Sequence, residues 1–233
     1  MAEEYTSVAL SPIRKVIAAR MTEATRTIPH FRASVDVEMD ALIGVRVGLR
    51  RERPHEHVSL NDLLIKACAA ALIETPAINI QWADTEIRQF TSADISVVTA
   101  LPGGGLSTPI IRNADCKSIW AIAGEVRELG ERAARNALRM DEIFGGSFSI
   151  SNLGMHGVDQ FDAIINPPQC AILSVGRAAR RFVVSEELEP RIATVLRATL
   201  SVDHRALDGT VAATFLAAFK RQVEDPQCLL QEK

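Results

Sequence analysis

The stretch Asp203-His204-Arg205-Ala206-Leu207-Asp208-Gly209 is the most informative part of this chain, because it places a histidine and an aspartate four residues apart between two apolar runs. The apolar run 199–202 before it predicts a strand, and the run 211–223 after it predicts a helix. A histidine at a strand end is held rigidly and exchanges a proton near neutral pH. His204 is therefore a candidate general base. Asp208 could fix its charge network, and Gly209 would permit a tight turn into the helix.

The remaining sequence mixes helical and strand patterns without strict alternation. The predicted strands are 31–39, 94–100 and most of 147–199, and the predicted helices include 12–28, 40–53, 59–75 and 119–133. Ser59 and Asp62 have the spacing of a capping box at the start of one helix. This mixture favours an α+β sandwich over a doubly wound sheet.

Composition limits the class of protein. The 233 residues suffice for one or two domains, and 47% of them are hydrophobic. A net charge of −3 gives no indication of a nucleic-acid or anionic-membrane partner. The acidic N-terminus has no apolar signal-peptide core, and no run approaches the roughly 20 apolar residues that span a bilayer. The four cysteines are widely spaced, and the neighbours of Cys68, Cys116 and Cys170 predict reduced thiols and a cytoplasmic setting.

Several blocks resemble, in chain order, the catalytic core of the dihydrolipoamide acyltransferases of 2-oxo acid dehydrogenase complexes. The stretch at His204 resembles the His-x-x-x-Asp-Gly signature of these CoA-dependent, chloramphenicol acetyltransferase-like enzymes. The other matching blocks are 11–15, 20–21, 28–31, 109–115, 147–155 and 164–169. The resemblance implies an α+β two-layer sandwich of mixed sheet and helices. It assigns 1–10 to an N-terminal extension and 11–233 to the catalytic domain, with no lipoyl or peripheral subunit-binding domain.

Acyl transfer between thiols needs a base for the attacking thiol and a donor for the tetrahedral oxyanion. His204 suits the first task, and the resemblance assigns the second to Ser151. A strand-end serine can instead bond its own backbone. Asp208 either bonds His204 directly or acts through a charge network, for which Arg14 is the candidate partner. No serine elbow or activated cysteine is evident, so direct transfer without a covalent enzyme is expected.

The resemblance also implies residues that bind substrate, and these are His30, Phe31, Asn152 and Asp203. His30 is either a core residue or part of a substrate channel. No metal site is expected, because the segment 55–57 has two histidines without further ligands and predicts an exposed loop. The three glycines of 103–105 lack a following Gly-Lys-Ser/Thr and predict a turn, not a phosphate loop.

The implied partners follow from the same family. CoA and acyl-CoA are substrates, no cofactor is tightly bound, and the lipoyl group belongs to a separate domain or protein. A homotrimer is expected, with His204 and Ser151 of one site on different chains. The tail 223–230 resembles a segment that joins trimers into a larger hollow core. The polar end 231–233 would be costly to bury in an apolar socket, so the sequence predicts the trimer and does not decide whether the larger core forms. The alternatives are a free-standing acyltransferase with another acceptor or carrier, and a scaffold with little catalysis.

Overall fold

The computed structural model describes residues 5–102, 104–185 and 188–230. Its helices are α1 Pro12–Thr27, α2 Asp40–Glu52, α3 Leu60–Glu74, α4 Ile119–Ala134 and α5 Gly209–Glu224. Its strands are β1 His30–Glu38, β2 Ile80–Ala83, β3 Glu86–Gln89, β4 Ile95–Val97, β5 Thr99–Ala100, β6 Leu106–Ser107, β7 Ile110–Ile111, β8 Phe148–Asn152, β9 Ala171–Val175, β10 Ala179–Val184 and β11 Pro190–Asp203. Helices and strands are mixed along the chain, which confirms the α+β class.

A seven-stranded mixed sheet lies at the centre of the described residues. Its strands run in the order β1-β11-β9-β8-β4-β7, and β10 pairs with the first half of β11. Strands β4, β8 and β9 are parallel, whereas β1, β9 and β10 are each antiparallel to β11. The 14-residue β11 is the longest strand, and it leads directly into His204.

Helices α2, α3, α4 and α5 cover one face of this sheet. Buried helix residues such as Leu63 and Phe215 share one core with strand residues such as Ile150 and Leu200. The rings of Phe148 and Phe215 lie 5.1 Å apart between their centroids. Each fully buried large apolar side chain contributes about 1.5–3 kcal/mol. Helices over a sheet give the predicted two-layer sandwich.

The opposite face of the sheet is covered by part of α1 and by the irregular segment 157–166. The small core on this face comprises Ala24, Ile28, Ile165 and Ile172. The segment crosses the sheet so closely that a Cβ on Gly176 would lie 2.0 Å from the carbonyl oxygen of Asp159. Only glycine fits at position 176, and its lack of a side chain lets the segment 157–166 pack directly on the sheet.

The start of α3 confirms the predicted capping box. The Oγ atom of Ser59 accepts from the N–H of Asp62 at 3.2 Å, and Asp62 accepts from the N–H of Ser59 at 2.7 Å. Two otherwise unpaired amides of the helix start are thereby satisfied. Burial raises the pKa of Asp62, against the opposing effect of its bonds to Ser59. The cap fixes the loop before α3 beside the end of β8.

Two strand predictions need correction. The predicted strand 94–100 is divided between β4, which joins the main sheet, and β5, which turns away to pair with β6. Gly104 and Gly105 have φ angles of +93° and +107° in the turn of that hairpin, so glycine is required there. The predicted strand-rich region also contains the long irregular stretch 153–170, which is interrupted by the 3₁₀ turn Gly154–His156 and by an isolated bridge between Gln169 and Gln81. Its backbone covers the sheet and does not extend it.

Both termini lie partly outside the described residues. Residues 1–4 of the predicted extension and the predicted polar end 231–233 are not described, nor are Gly103 and residues 186–187. The short helix Pro226–Leu230 buries Leu229 against the main core. Within the described ranges, no helix is both long enough and apolar enough to cross a membrane.

Candidate active site

The His204 half of the site is built from the end of β11 and the start of β1. The backbone N–H of His204 donates to the carbonyl oxygen of Pro29 at 3.0 Å. Phe31, on β1, holds its ring edge-on to the imidazole, with centroids 5.2 Å apart and planes at 80°. The imidazole is exposed, and its nitrogens make no hydrogen bond to any described residue. A base with fixed position and free nitrogens can accept a substrate proton.

Asp203, next to this histidine, is almost fully buried. Its side chain is 1% exposed, and both carboxylate oxygens accept from the guanidinium of Arg205. Asp203 was predicted to bind substrate, but its carboxylate is already paired with Arg205 of the same chain. Burial, and next the neighbouring Asp203 carboxylate, raise the pKa of the Cys170 thiol to about 12.

Asp208 is the N-cap of α5. Its Oδ1 atom accepts from the N–H of Val211 at 2.9 Å, as cap residues do. Within the described residues it bonds neither of its two predicted partners, His204 and Arg14. The guanidinium of Arg14 lies instead against the turn at Gly104, 3.5 Å from where a Cβ would stand. Asp208 therefore caps the helix that begins just after the turn at His204.

Gly209 does not need the conformational freedom that its place after Asp208 suggested. It is the first residue of α5, and its φ is not in the left-handed region. A Cβ there would meet the ring of Phe31 at 3.5 Å, which is ordinary contact. Glycine therefore supplies no left-handed backbone at this entry to the helix, and its neighbour in the site is Phe31.

His30 has both ring nitrogens occupied. Its Nδ1 atom lies 2.8 Å from the carbonyl oxygen of Ile28, and its Nε2 atom accepts from the N–H of Ile165 at 3.1 Å. A neutral ring with the proton on Nδ1 satisfies both contacts. Of the two alternatives, the chain thus favours a structural residue, which ties β1 to the loop covering the sheet.

The Ser151 half of the site lies two strands away, on β8. Ser151 is 8% exposed, and its hydroxyl makes no hydrogen bond to any described residue. The next residue, Asn152, donates to Asn61 of α3 at 3.1 Å and accepts from the N–H of Gly154 at 2.8 Å. The amide of Asn152 therefore holds the strand end and the following turn in place, while the serine hydroxyl stays available as a donor.

The register of the sheet separates the two halves. Ser151 pairs with Ser174, which pairs with Thr199, and Thr199 stands five residues before His204. With a rise of about 3.3 Å per residue and a strand spacing of about 4.8 Å, the two Cα atoms are about 20 Å apart. Alternation also places Ser151 on the face opposite Ile150, whereas His204 contacts Phe31 on the helix-covered side. One chain cannot bring both side chains to one substrate atom.

Two functional candidates, Arg205 and Trp82, were missed from the sequence. Arg205 could have been suspected, because it follows the histidine directly. Trp82, whose ring lies 4.6 Å from the Arg205 guanidinium carbon, is more than a hundred residues away and gives no local signal. Only the pairing of distant strands reveals that contact.

A cavity of about 210 Å³ lies away from both halves of the site. It is found between α3, the end of α5 and the C-terminal short helix, lined by residues such as Lys66 and Gln222. The N-terminus of α5, where Asp208 lies, is at the other end of that helix. No group of three or more His, Cys, Asp or Glu side chains in the described ranges could hold a metal.

A family model for the 2-oxoacid dehydrogenases acyltransferase catalytic domain matches residues 2–231. The chain belongs to this family. It is 44% identical, over 98% of its length, to the dihydrolipoyllysine-residue acetyltransferase component of the pyruvate dehydrogenase complex of Rickettsia bellii. It covers 55% of that relative, so this member of the 2-oxoacid dehydrogenase acyltransferases spans about half the length of the curated relatives it matches.

Solved structures agree with the family. The dihydrolipoamide acetyltransferase of Azotobacter vinelandii superimposes with a TM-score of 0.92 at 30% identity, over 98% of this chain and 95% of that one. A chloramphenicol acetyltransferase superimposes with a TM-score of 0.54 at 16% identity, over 91% of this chain and 94% of that one. The second likeness shows the fold alone, and it confirms the chloramphenicol acetyltransferase-like architecture.

Proposed function

We propose that this chain is the catalytic part of an acyltransferase that moves an acetyl group between dihydrolipoamide and CoA. A thiol of one substrate attacks the thioester carbonyl of the other. The new C–S bond forms as the thiol proton passes to His204. The tetrahedral intermediate then expels the second thiolate, which takes the proton back from His204. No covalent bond to the protein is needed, and no oxidant or reductant takes part.

The observation that carries this proposal is the separation of His204 from Ser151 within one chain. Both are suited to the same reaction, yet they lie about 20 Å apart on opposite faces of the sheet, by the strand geometry above. A base must approach its proton to about 2.6–3.2 Å, and an oxyanion donor must approach its oxygen equally closely. A second copy that supplies the missing half resolves this conflict. A closed ring of three uses such a head-to-tail contact.

His204 suits the role of base because its imidazole is exposed and positioned but not consumed by the protein. Its backbone is fixed to Pro29 and its ring is packed against Phe31. General base catalysis contributes roughly 10²–10⁴ in rate. Ser151 suits the role of oxyanion donor because its nearly buried hydroxyl has no partner among the described residues. A preorganised donor at such a site needs little rearrangement when charge develops.

The Azotobacter vinelandii relative supports these assignments. That structure comes from a study of a serine, a histidine and an asparagine in the catalytic mechanism, and its histidine and asparagine are four residues apart. His204 and Asp208 have the same spacing here, with aspartate in place of asparagine. An asparagine caps a helix about as well as an aspartate. We therefore propose that Asp208 positions the turn after His204 and does not act through its charge.

The proposal also specifies the acyl group, its acceptor and the location in the cell. The acetyl group and dihydrolipoamide come from the relatives' names, and the lipoyl group would reside on a separate domain or protein. Cys68 and Cys170 are buried thiols, which suits the cytoplasm, and that location stays a prediction. The two alternatives remain an acyltransferase with another acceptor and a scaffold.

A direct assay distinguishes these alternatives. The purified chain is incubated with acetyl-CoA and free dihydrolipoamide, and S-acetyl-dihydrolipoamide and CoA are quantified, with succinyl-CoA and branched acyl-CoAs in parallel. We expect equimolar products and a preference for acetyl. Transfer to a small amine or alcohol but not to dihydrolipoamide would establish the other acyltransferase. Assembled protein without any transfer would establish the scaffold.

A further inference from the structure

We propose that Asp203, Arg205 and Trp82 form a clamp that positions His204 for proton transfer. This inference rests on the proposed function, in which His204 is the base. The three residues touch no reacting atom. They act through the backbone on both sides of the histidine. We call these three residues the clamp.

The first contact of the clamp is a two-pronged ion pair. The Nε atom of Arg205 donates to Oδ1 of Asp203 at 3.0 Å, and its Nη2 atom donates to Oδ2 at 2.7 Å. The backbone N–H of Arg205 also donates to Oδ1 at 3.0 Å. The Asp203 side chain is 1% exposed, so this carboxylate depends on its partner. Hydrogen bonds from Arg205 to Asp203 in turn raise the pKa of Arg205.

The second contact of the clamp is a stacked ring. The guanidinium carbon of Arg205 lies 4.6 Å from the ring centroid of Trp82. The backbone N–H of Trp82 donates to the carbonyl oxygen of Pro168 at 2.8 Å, and Trp82 pairs with Ile87 of β3, so both contacts hold it on β2. Arginine can present a hydrogen-bonding edge to a carboxylate and a flat face to an aromatic ring at the same time. A lysine cannot do both, so the site requires the guanidinium.

The clamp encloses the backbone of the histidine. His204 lies between Asp203 and Arg205, and the carbonyl oxygen of Asp203 accepts from the N–H groups of Ala206 and Leu207 at 3.1 and 3.0 Å. The turn after the strand is thereby closed on itself. With the N–H of His204 bonded to Pro29, only the side-chain torsions remain free to move the imidazole.

The same geometry argues against Asp203 as a residue that binds substrate. Both of its oxygens accept from Arg205, and its side chain is almost without solvent contact. A substrate contact would require breaking an ion pair in a buried setting, which is strongly unfavourable. Errors of about 1 Å in the placement of a catalytic group can cost about 100-fold in rate. The expected effect of loosening the clamp is therefore on turnover.

Arg205→Lys in the full chain tests the clamp, because it retains the charge but loses the fork and the flat face. We expect kcat to fall about tenfold or more, since a small displacement of the base is costly. KM for CoA and for dihydrolipoamide should stay within about twofold, and the assembly state should not change. Arg88→Lys is the matched control, because Arg88 pairs with Glu86 on the Trp82 hairpin at 59% exposure.

Tryptophan fluorescence gives a readout that does not depend on activity. In a Trp120→Phe background, Trp82 is the remaining tryptophan of the chain. Arg205→Lys should change its emission, whereas Arg88→Lys should not. Trp82→Phe, which keeps an aromatic face, should retain more of kcat than Trp82→Leu. If Arg205→Lys does not give folded protein, the comparison of kcat between Trp82→Phe and Trp82→Leu tests the clamp instead.

The outcomes separate the clamp from the proposed function. An active parent whose Arg205→Lys or Trp82→Leu variant has parental kcat overturns the clamp and leaves the acyltransferase intact. A loss that appears in KM alone assigns Arg205 or Asp203 to substrate binding and also overturns it. A parent without transferase activity overturns the proposed function itself, and the catalytic role of the clamp with it.

Discussion

The two halves of the candidate site are built in opposite ways. The His204 half is exposed at a sheet end and made of residues close in sequence, with Phe31 on the neighbouring strand. The Ser151 half is nearly buried in the middle of the sheet, and its hydroxyl has no partner among the described residues. One half offers a base with free nitrogens, and the other offers a donor without an acceptor. The proposed shared site accounts for this difference, because in it each half is completed by a neighbouring copy of the chain.

The first way to test this comparison is to remove the base, where we expect the largest effect. His204→Ala should lower turnover by at least about 100-fold, because a general base contributes roughly 10²–10⁴ in rate. The fold and CoA binding should be nearly unchanged, as the side chain is exposed. The pH profile of kcat/KM should lose its acidic limb. Steady-state kinetics across pH, with calorimetric CoA titration, measure both.

His55→Ala is the matched control, since His55 is an exposed histidine on the loop before α3. Its kinetics should equal those of the parent. Turnover of folded His204→Ala protein at the parental rate would remove His204 from the mechanism.

The second test removes the donor. Ser151→Ala should lower kcat by about 100- to 1,000-fold with little change in KM, because an oxyanion donor acts on the transition state alone. Ser34→Ala is the control, since Ser34 lies in the same cross-sheet row and its hydroxyl pairs with that of Thr199 at 2.9 Å. Single-turnover kinetics measure the effect. A change confined to KM would make Ser151 a ground-state contact and end its oxyanion role.

Much of the His204 half could be predicted from the sequence, since its residues are consecutive and follow a strand pattern. The capping box at Ser59 was likewise local and correctly placed. The partners of Asp208 and Arg14 could not be derived, because they depend on how distant segments meet. The same holds for the Trp82 contact, and for the chain path at Gly176, where a loop crosses the sheet. The local sequence pattern predicts helices, strands and caps. Which side chains contact each other depends on how distant segments pack together.

A third test sharpens the role of Asp208. Asp208→Asn should retain the cap, and hence both stability and most of the activity. Asp208→Ala loses the bond to the N–H of Val211 and should lower stability by about 1 kcal/mol. Thermal unfolding and kcat measure the two effects. An inactive but fully stable Asp208→Asn protein would show that charge, not capping, matters, and would restore the charge network.

A fourth test, with the smallest expected effect, concerns the thiols beneath the His204 half. Cys170 is buried, and its pKa is raised to about 12, so its thiol stays neutral and unreactive up to about pH 9. Cys116 is exposed and should react with a maleimide in the native protein. Mass spectrometry after brief labelling at pH 8 locates the adducts. Rapid labelling of Cys170 in folded protein would mean that this region opens far more readily than its packing indicates.

The central claim is that the two halves of a site come from different copies of the chain. Inactive His204→Ala protein and inactive Ser151→Ala protein are mixed in equal amounts, dissociated and reassembled. In a head-to-tail trimer, each interface joins the serine of one copy to the histidine of the next, so about one quarter of the interfaces carry both intact residues.

Activity measured after reassembly should therefore recover to about one quarter of the parental value, with a trimer or a multiple of three by analytical ultracentrifugation. Each variant taken alone through the same treatment should stay inactive. Subunit exchange, verified by mass spectrometry of differently tagged chains, without recovery would contradict the shared site. A parental chain that is active as a monomer would contradict it equally.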